Sequence, residues 1–178
     1  MRTATIVLVA YLLCAAIASF WRLLPRIDDA IPDLGALTAA YLGLTARRQV
    51  SPAVGGAIVL GYLIDLISGG PPGLVALVLA LTTLVARAVQ QRILVRGAVI
   101  SIAFSAFVAL VAGVLALLVR VLYRVPSAAF PVELAHVALV TIATAILGPL
   151  VWRTFRRIDA AFARTHRERD AALEGLAP

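Results

Sequence analysis

Lysine is absent from this 178-residue chain, so its net charge of +7 comes entirely from arginine. Cysteine occurs once, as Cys14, which excludes an internal disulfide framework and a Cys-based metal site. Charge of either sign is scarce: 14% of residues are charged, where a soluble domain carries about 25%. Catalytic patterns are missing too. There is no Ser/His/Asp set at membrane depth, no His-rich cluster, no pair of carboxylates in one helix region and no glycine-rich phosphate loop after a strand. The expectation is a non-enzyme without a cofactor or metal. Arginines interleaved with aromatics in a basic patch are also lacking, which sets nucleic-acid binding aside.

Apolar sequence fills the space. The chain is 62% hydrophobic with a mean hydropathy of +1.02, and runs long enough to cross a bilayer recur along it. The expected fold is an all-α integral membrane bundle of six transmembrane helices. The apolar segments fall at Ala4–Leu24, Ile31–Ala46, Ser51–Ile67, Leu74–Val89, Gly97–Val119 and Val132–Trp152. Run length singles out the first, fifth and last as spanning. The second is short, with 13 residues between Asp33 and Arg47, and either crosses or is re-entrant. Residues 1–152 form the bundle in this reading, and residues 153–178 a basic tail. Arg2, an apolar run and Ala16-Ile17-Ala18 make a weak cleavage pattern, but the run continues to Leu24, favouring a retained helix.

Arginine placement orients the segments. Six spans with a cytoplasmic N-terminus put 12 arginines inside and 4 outside, and five spans with the opposite start give 13 and 3. Both place Arg47–Arg48, Arg87–Arg96 and the C-terminus in the cytoplasm, and the Gly69–Gly73 turn outside.

Asp65 is the most informative residue. A carboxylate at membrane depth costs roughly 2.5–3.5 kcal/mol, so it needs a partner or a function. Ala53, Ala57, Gly61 and Asp65 share one helix face, letting another helix approach closely. Two readings stand: Asp65 caps the Ser68–Gly73 turn through backbone N–H groups, or it meets a partner or ligand. Arg87 is not its mate, lying about 20 Å further along the next helix at 1.5 Å per residue. The stripe Gly97, Ser101, Ser105, Ala109 and Gly113 reads as packing. Glu133 and His136, one turn apart, read as interfacially solvated, two groups being too few for a metal. Pro149 after Gly148 is expected to kink the last helix or ease its exit. Trp21, Trp152, Tyr123 and Phe130 lie at segment ends, where rings settle at headgroups. In the tail, Phe155, Ile158 and Phe162 share a face flanked by Arg156, Arg157 and Arg164. Anionic lipid, a cytoplasmic protein or plain solvent are its three expected surroundings.

The run Gly61-Tyr62-Leu63-Ile64-Asp65-Leu66-Ile67-Ser68-Gly69-Gly70-Pro71-Pro72-Gly73-Leu74 resembles the central signature of the rod shape-determining protein MreD family. Pro32-Asp33-Leu34 resembles the start of that family's short second helix. Gly148-Pro149-Leu150 with Arg153, Arg156 and Arg157 resembles its last helix and basic tail. The resemblance implies a non-enzymatic inner-membrane component of the cell-elongation machinery that supports lateral peptidoglycan synthesis. It implies as partners a single-span MreC-like protein, MreB, RodA and its transpeptidase, and a fold similar to the substrate-binding subunits of vitamin importers. Asp65, Gly61, Ala57, Gly73, Pro32 and Asp33 are the candidate partner or packing site. Arg153, Arg156 and Arg157 are the candidate lipid or partner contacts. A vitamin-type binding subunit of an importer and a proton-coupled carrier using Asp65 are the competing functions.

Overall fold

A computed structural model of the chain describes residues 2–21, 31–46, 50–69, 71–90, 97–124 and 129–174, with the side chains of the last helix described through residue 163. Arg22, Arg26, Arg47, Arg48, Gly70, Arg92 and Arg96, along with the side chains of Arg2, Trp21 and Arg164, lie outside that description. All regular structure among the described residues is helical: α1 (Arg2–Trp21), α2 (Leu34–Thr45), α3 (Ser51–Ser68), α4 (Leu74–Gln90), α5 (Ala98–Leu122) and α6 (Phe130–Glu174).

Three stretches are long and apolar enough to cross a membrane: Ser51–Ser68, Val99–Leu122 and Phe130–Ala163. The third segment thus joins the fifth and last, whereas the apolar stretch of α1 is the shorter Thr3–Ile17. The outside of the bundle is apolar. Leu118, Ile146 and Leu150 are 62%, 72% and 62% exposed, a surface that suits lipid and would aggregate in water.

The shortest helix occupies the centre. α2 touches all five others, and every residue from Leu34 to Gly43 is buried. A helix that is apolar on all sides belongs inside a bundle, and small residues let its neighbours close in. A Cβ on Gly43 would lie 2.5 Å from the Thr83 carbonyl oxygen of α4. The buried hydroxyls there stay satisfied within their own helices. Thr38, Thr82 and Thr83 donate to the carbonyls of Leu34, Val78 and Leu79 at 2.7–2.8 Å. Around α2, α3 pairs with α4 and α5 with α6, and α1 lies along α3. The two ends of the bundle are named for what they carry. The turn end holds the α3–α4 connection, and the tail end holds the last part of α6.

The helix α6 runs without a break through Pro149 and beyond Trp152. Its 45 residues correspond to a rod of about 67 Å at 1.5 Å per residue. Trp152 corrects the headgroup expectation: it is 5% exposed and stands edge-on to Tyr41 and Phe104. The tail end of α2 delivers Tyr41 to that spot, so the indole finds aromatic neighbours before it reaches an interface. Tyr123 and Phe130 are exposed, at 67% and 71%. Phe155, which the tail pattern offered to lipid or solvent, is 1% exposed and packs on Tyr41 with ring centroids 5.1 Å apart.

Candidate functional site

The α3–α4 hairpin is built around one carboxylate. Ala53, Ala57, Gly61 and Asp65 point the same way along α3, and all four are buried. At Gly61 the two helices approach so closely that a Cβ would lie 2.6 Å from the backbone nitrogen of Ala76. One turn further on, Asp65 is 3% exposed and reaches over the first turn of α4. Its Oδ2 accepts from Gly73 N–H at 2.9 Å and Ala76 N–H at 3.4 Å, and its Oδ1 accepts from Val75 N–H at 3.1 Å.

Those donors have no acceptor within α4, because the first four N–H groups of a helix face away from its own carbonyls. A side-chain oxygen normally supplied by the residue at the helix start does this work elsewhere. Here Gly73 stands at that position, with a left-handed φ of 97° and no side chain to offer, and Asp65 supplies the oxygens from the preceding helix. The negative charge also complements the positive end of the α4 dipole. Gly69 ends α3 in the left-handed region, with φ 66°, and its N–H donates to the Asp65 carbonyl. Side chain and backbone of one residue therefore fix both sides of the turn. Arg87 is remote from this arrangement: it donates to the Ala46 carbonyl and, at 2.8 Å, to Gln90 Oε1.

Pro32 and Asp33 are not part of this hairpin cap. Pro32 is buried, and Asp33 caps α2 by accepting from Ala36 N–H at 2.7 Å. The Asp33 N–H donates to Thr144 Oγ1 at 2.9 Å. Thr144 lies 14 positions into α6, about 20 Å along it at 1.5 Å per residue, so α2 begins well inside the bundle. Above that beginning, α4, α5 and α6 enclose a cavity of about 170 Å³ with Asp33 among its lining residues. Arg120, Glu133 and His136 also line it. Arg120 and Glu133 form an ion pair at 3.3 Å, a link between α5 and α6 beyond the solvation expected of Glu133. Asp65 and Asp33 are thus both acids set into the bundle. The depth of Asp33 has no local signal, because it depends on how far α2 is drawn in between its neighbours.

The α5 stripe faces α6. Ser101, Ser105 and Ala109 are buried. A Cβ on Gly113 would lie 2.7 Å from Val137 Cγ1, and one on Gly148 would collide with the Ser105 side chain. At the tail end, Arg153, Arg156 and Arg157 are exposed on the part of α6 whose other side carries Phe155. Tyr41 also holds this part of α6, its hydroxyl donating to Asp159 Oδ2 at 2.5 Å.

These features combine a close-packed hairpin, a buried acid spent on backbone donors and a basic helix end. No curated protein matches the chain significantly, and no solved structure does. Residues 2–158 match the family described as rod shape-determining protein MreD, a span that takes in the hairpin, the short central helix and the three arginines. The chain belongs to the rod shape-determining protein MreD family.

Proposed function

We propose that this protein is a scaffold of the bacterial rod-shape machinery, acting through protein partners in the cytoplasmic membrane. The observation that carries the reading is the use of Asp65. Both of its oxygens are engaged by N–H groups of the α4 start, so the acid builds a rigid hairpin and is not presented to a substrate. Membership in a shape-determining family gives that rigidity its purpose. In this reading all six helices belong to the membrane bundle, with the tail end and both termini in the cytoplasm, as the arginine distribution favours. The membrane bundle is the domain drawn to residue 152, and the basic part of α6 that follows stays packed on it through Phe155 and Asp159. The partners are a single-span MreC-like protein, MreB, RodA and its transpeptidase, with lateral peptidoglycan synthesis the process supported.

Two competing functions lose ground. An importer subunit needs a pocket that opens outward near Asp65, and the cavity at that end is the one above α2. Its volume of about 170 Å³ falls below the roughly 300–1,000 Å³ of small-molecule sites. A proton-coupled carrier would need Asp65 free to change partners, and three backbone donors hold it. The deciding experiment depletes the protein from a rod-shaped host: cells are expected to round up, and the tagged protein to co-purify with a single-span partner. Rods that keep their shape on depletion would remove the reading.

A further inference from the structure

Three arginines converge on one groove at the tail end. Between the start of α5 and the last part of α6 lies a cavity of about 590 Å³, lined by Gly97, Ser101, Pro149, Arg153, Arg156 and Arg157. Among the described residues, no carboxylate lines it. Arg153 and Arg157 are exposed and, among the described residues, neither forms a hydrogen bond or ion pair. Among the described residues, Arg156 bonds through its Nε alone, to the Trp152 carbonyl at 3.4 Å. The nearby acid on the same helix, Asp159, is engaged by Tyr41. Three like charges around a concave surface repel one another until an anion enters.

The remaining wall adds to the positive potential. Gly97 precedes α5 without a side-chain cap bond, so the first-turn N–H groups of this 25-residue helix bring the positive end of its dipole to this side of the groove. The groove also sits at a boundary. Ile146 and Leu150, 72% and 62% exposed, end the lipid-facing stretch of α6 just before Arg153, which is where headgroups meet a membrane helix.

We propose that this groove binds a phosphate-bearing anion, with the headgroup of an anionic phospholipid as its source. Guanidinium forks match phosphate oxygens in geometry as well as charge, and the acyl chains would follow the exposed apolar faces of α5 and α6. The site would hold the protein to the anionic leaflet at a fixed register. It rests on the membrane reading above, but binding is measured on purified protein and does not depend on cell shape.

The test is native mass spectrometry of the full chain in detergent, titrated separately with phosphatidylglycerol, phosphatidylcholine and inorganic phosphate. Phosphatidylglycerol is expected to be retained in preference to phosphatidylcholine. At about fivefold per arginine, the Arg153→Gln/Arg157→Gln double variant should weaken it about 25-fold. Arg124→Gln, an exposed arginine at the opposite end, should leave it unchanged. Inorganic phosphate that binds with the same arginine dependence would support the site and indicate a soluble source. If the double variant does not purify, Arg157→Gln alone should weaken binding about fivefold. Equal retention of the two lipids, equal loss in Arg124→Gln, or binding of neither lipid nor phosphate would overturn the proposal.

Discussion

Gly61 lies against the backbone of Ala76, with no room for a β-carbon between α3 and α4. The contact is backbone to backbone, so no side chain can swing aside to relieve a larger residue. Gly61→Ala should destabilise the protein by about 1–3 kcal/mol, the range for overpacking. Gly55, on the same helix, has nothing within 4 Å of its would-be β-carbon. Gly55→Ala should therefore be neutral or stabilising by up to about 1 kcal/mol, as helix propensity dictates. Thermal denaturation of both variants in detergent checks the opposite signs.

Tyr41 joins the central helix to the far part of α6 through Asp159. Tyr41→Phe keeps the ring contacts with Trp152 and Phe155 and removes only the hydroxyl. A hydrogen bond to a charged acceptor contributes about 1.5–3 kcal/mol. The expected result is faster protease cleavage after Trp152 with little change in the rest of the bundle, read by limited proteolysis and mass analysis.

The Arg120–Glu133 pair should matter much less. Arg120 is 42% exposed at its side chain, and ion pairs in such settings contribute under about 1 kcal/mol. Arg120→Gln should shift the unfolding midpoint only slightly, and raised salt should erase the difference between variant and parent.

Gly148 and Ser105 offer a test of the α5–α6 contact. Gly148→Ala would drive its new methyl group into Ser105 and should cost about 1–3 kcal/mol. Adding Ser105→Gly clears the space, so the double variant should recover part of the loss. Additive losses in a double-mutant cycle would mean that the two residues do not touch.

The sequence made some of this arrangement legible and hid the rest for identifiable reasons. The four-residue spacing of Ala53, Ala57, Gly61 and Asp65 fixes a shared helix face, because helical periodicity is local. Gly and Pro between α3 and α4 mark the turn for the same reason. The central position of α2 is not a local property. Its run between charges is too short to declare itself a span, and its burial on all sides follows from how five other helices close around it. Asp33 is hidden likewise, since a capping acid reads alike at a surface and deep within a bundle. Trp152 and Phe155 looked interfacial because the apolar run thins after them, yet Tyr41, more than a hundred residues earlier, makes that stretch part of the core. The three arginines were visible as charge, but the groove they share with Gly97 and Ser101 required the α5–α6 pairing.

The Asp65 carboxylate holds the start of α4 and thereby the hairpin. Losing it would leave two part-buried N–H groups and one buried N–H group unpaired, at up to about 1–3 kcal/mol for the buried one, and the turn should loosen before the rest of the bundle. Amide hydrogen exchange at Gly73, Val75 and Ala76, compared between the parent protein and Asp65→Ala, reads this directly. Protection is expected in the parent, with a selective loss of it at those three amides in the variant. Unchanged exchange there in Asp65→Ala would contradict this role of the carboxylate.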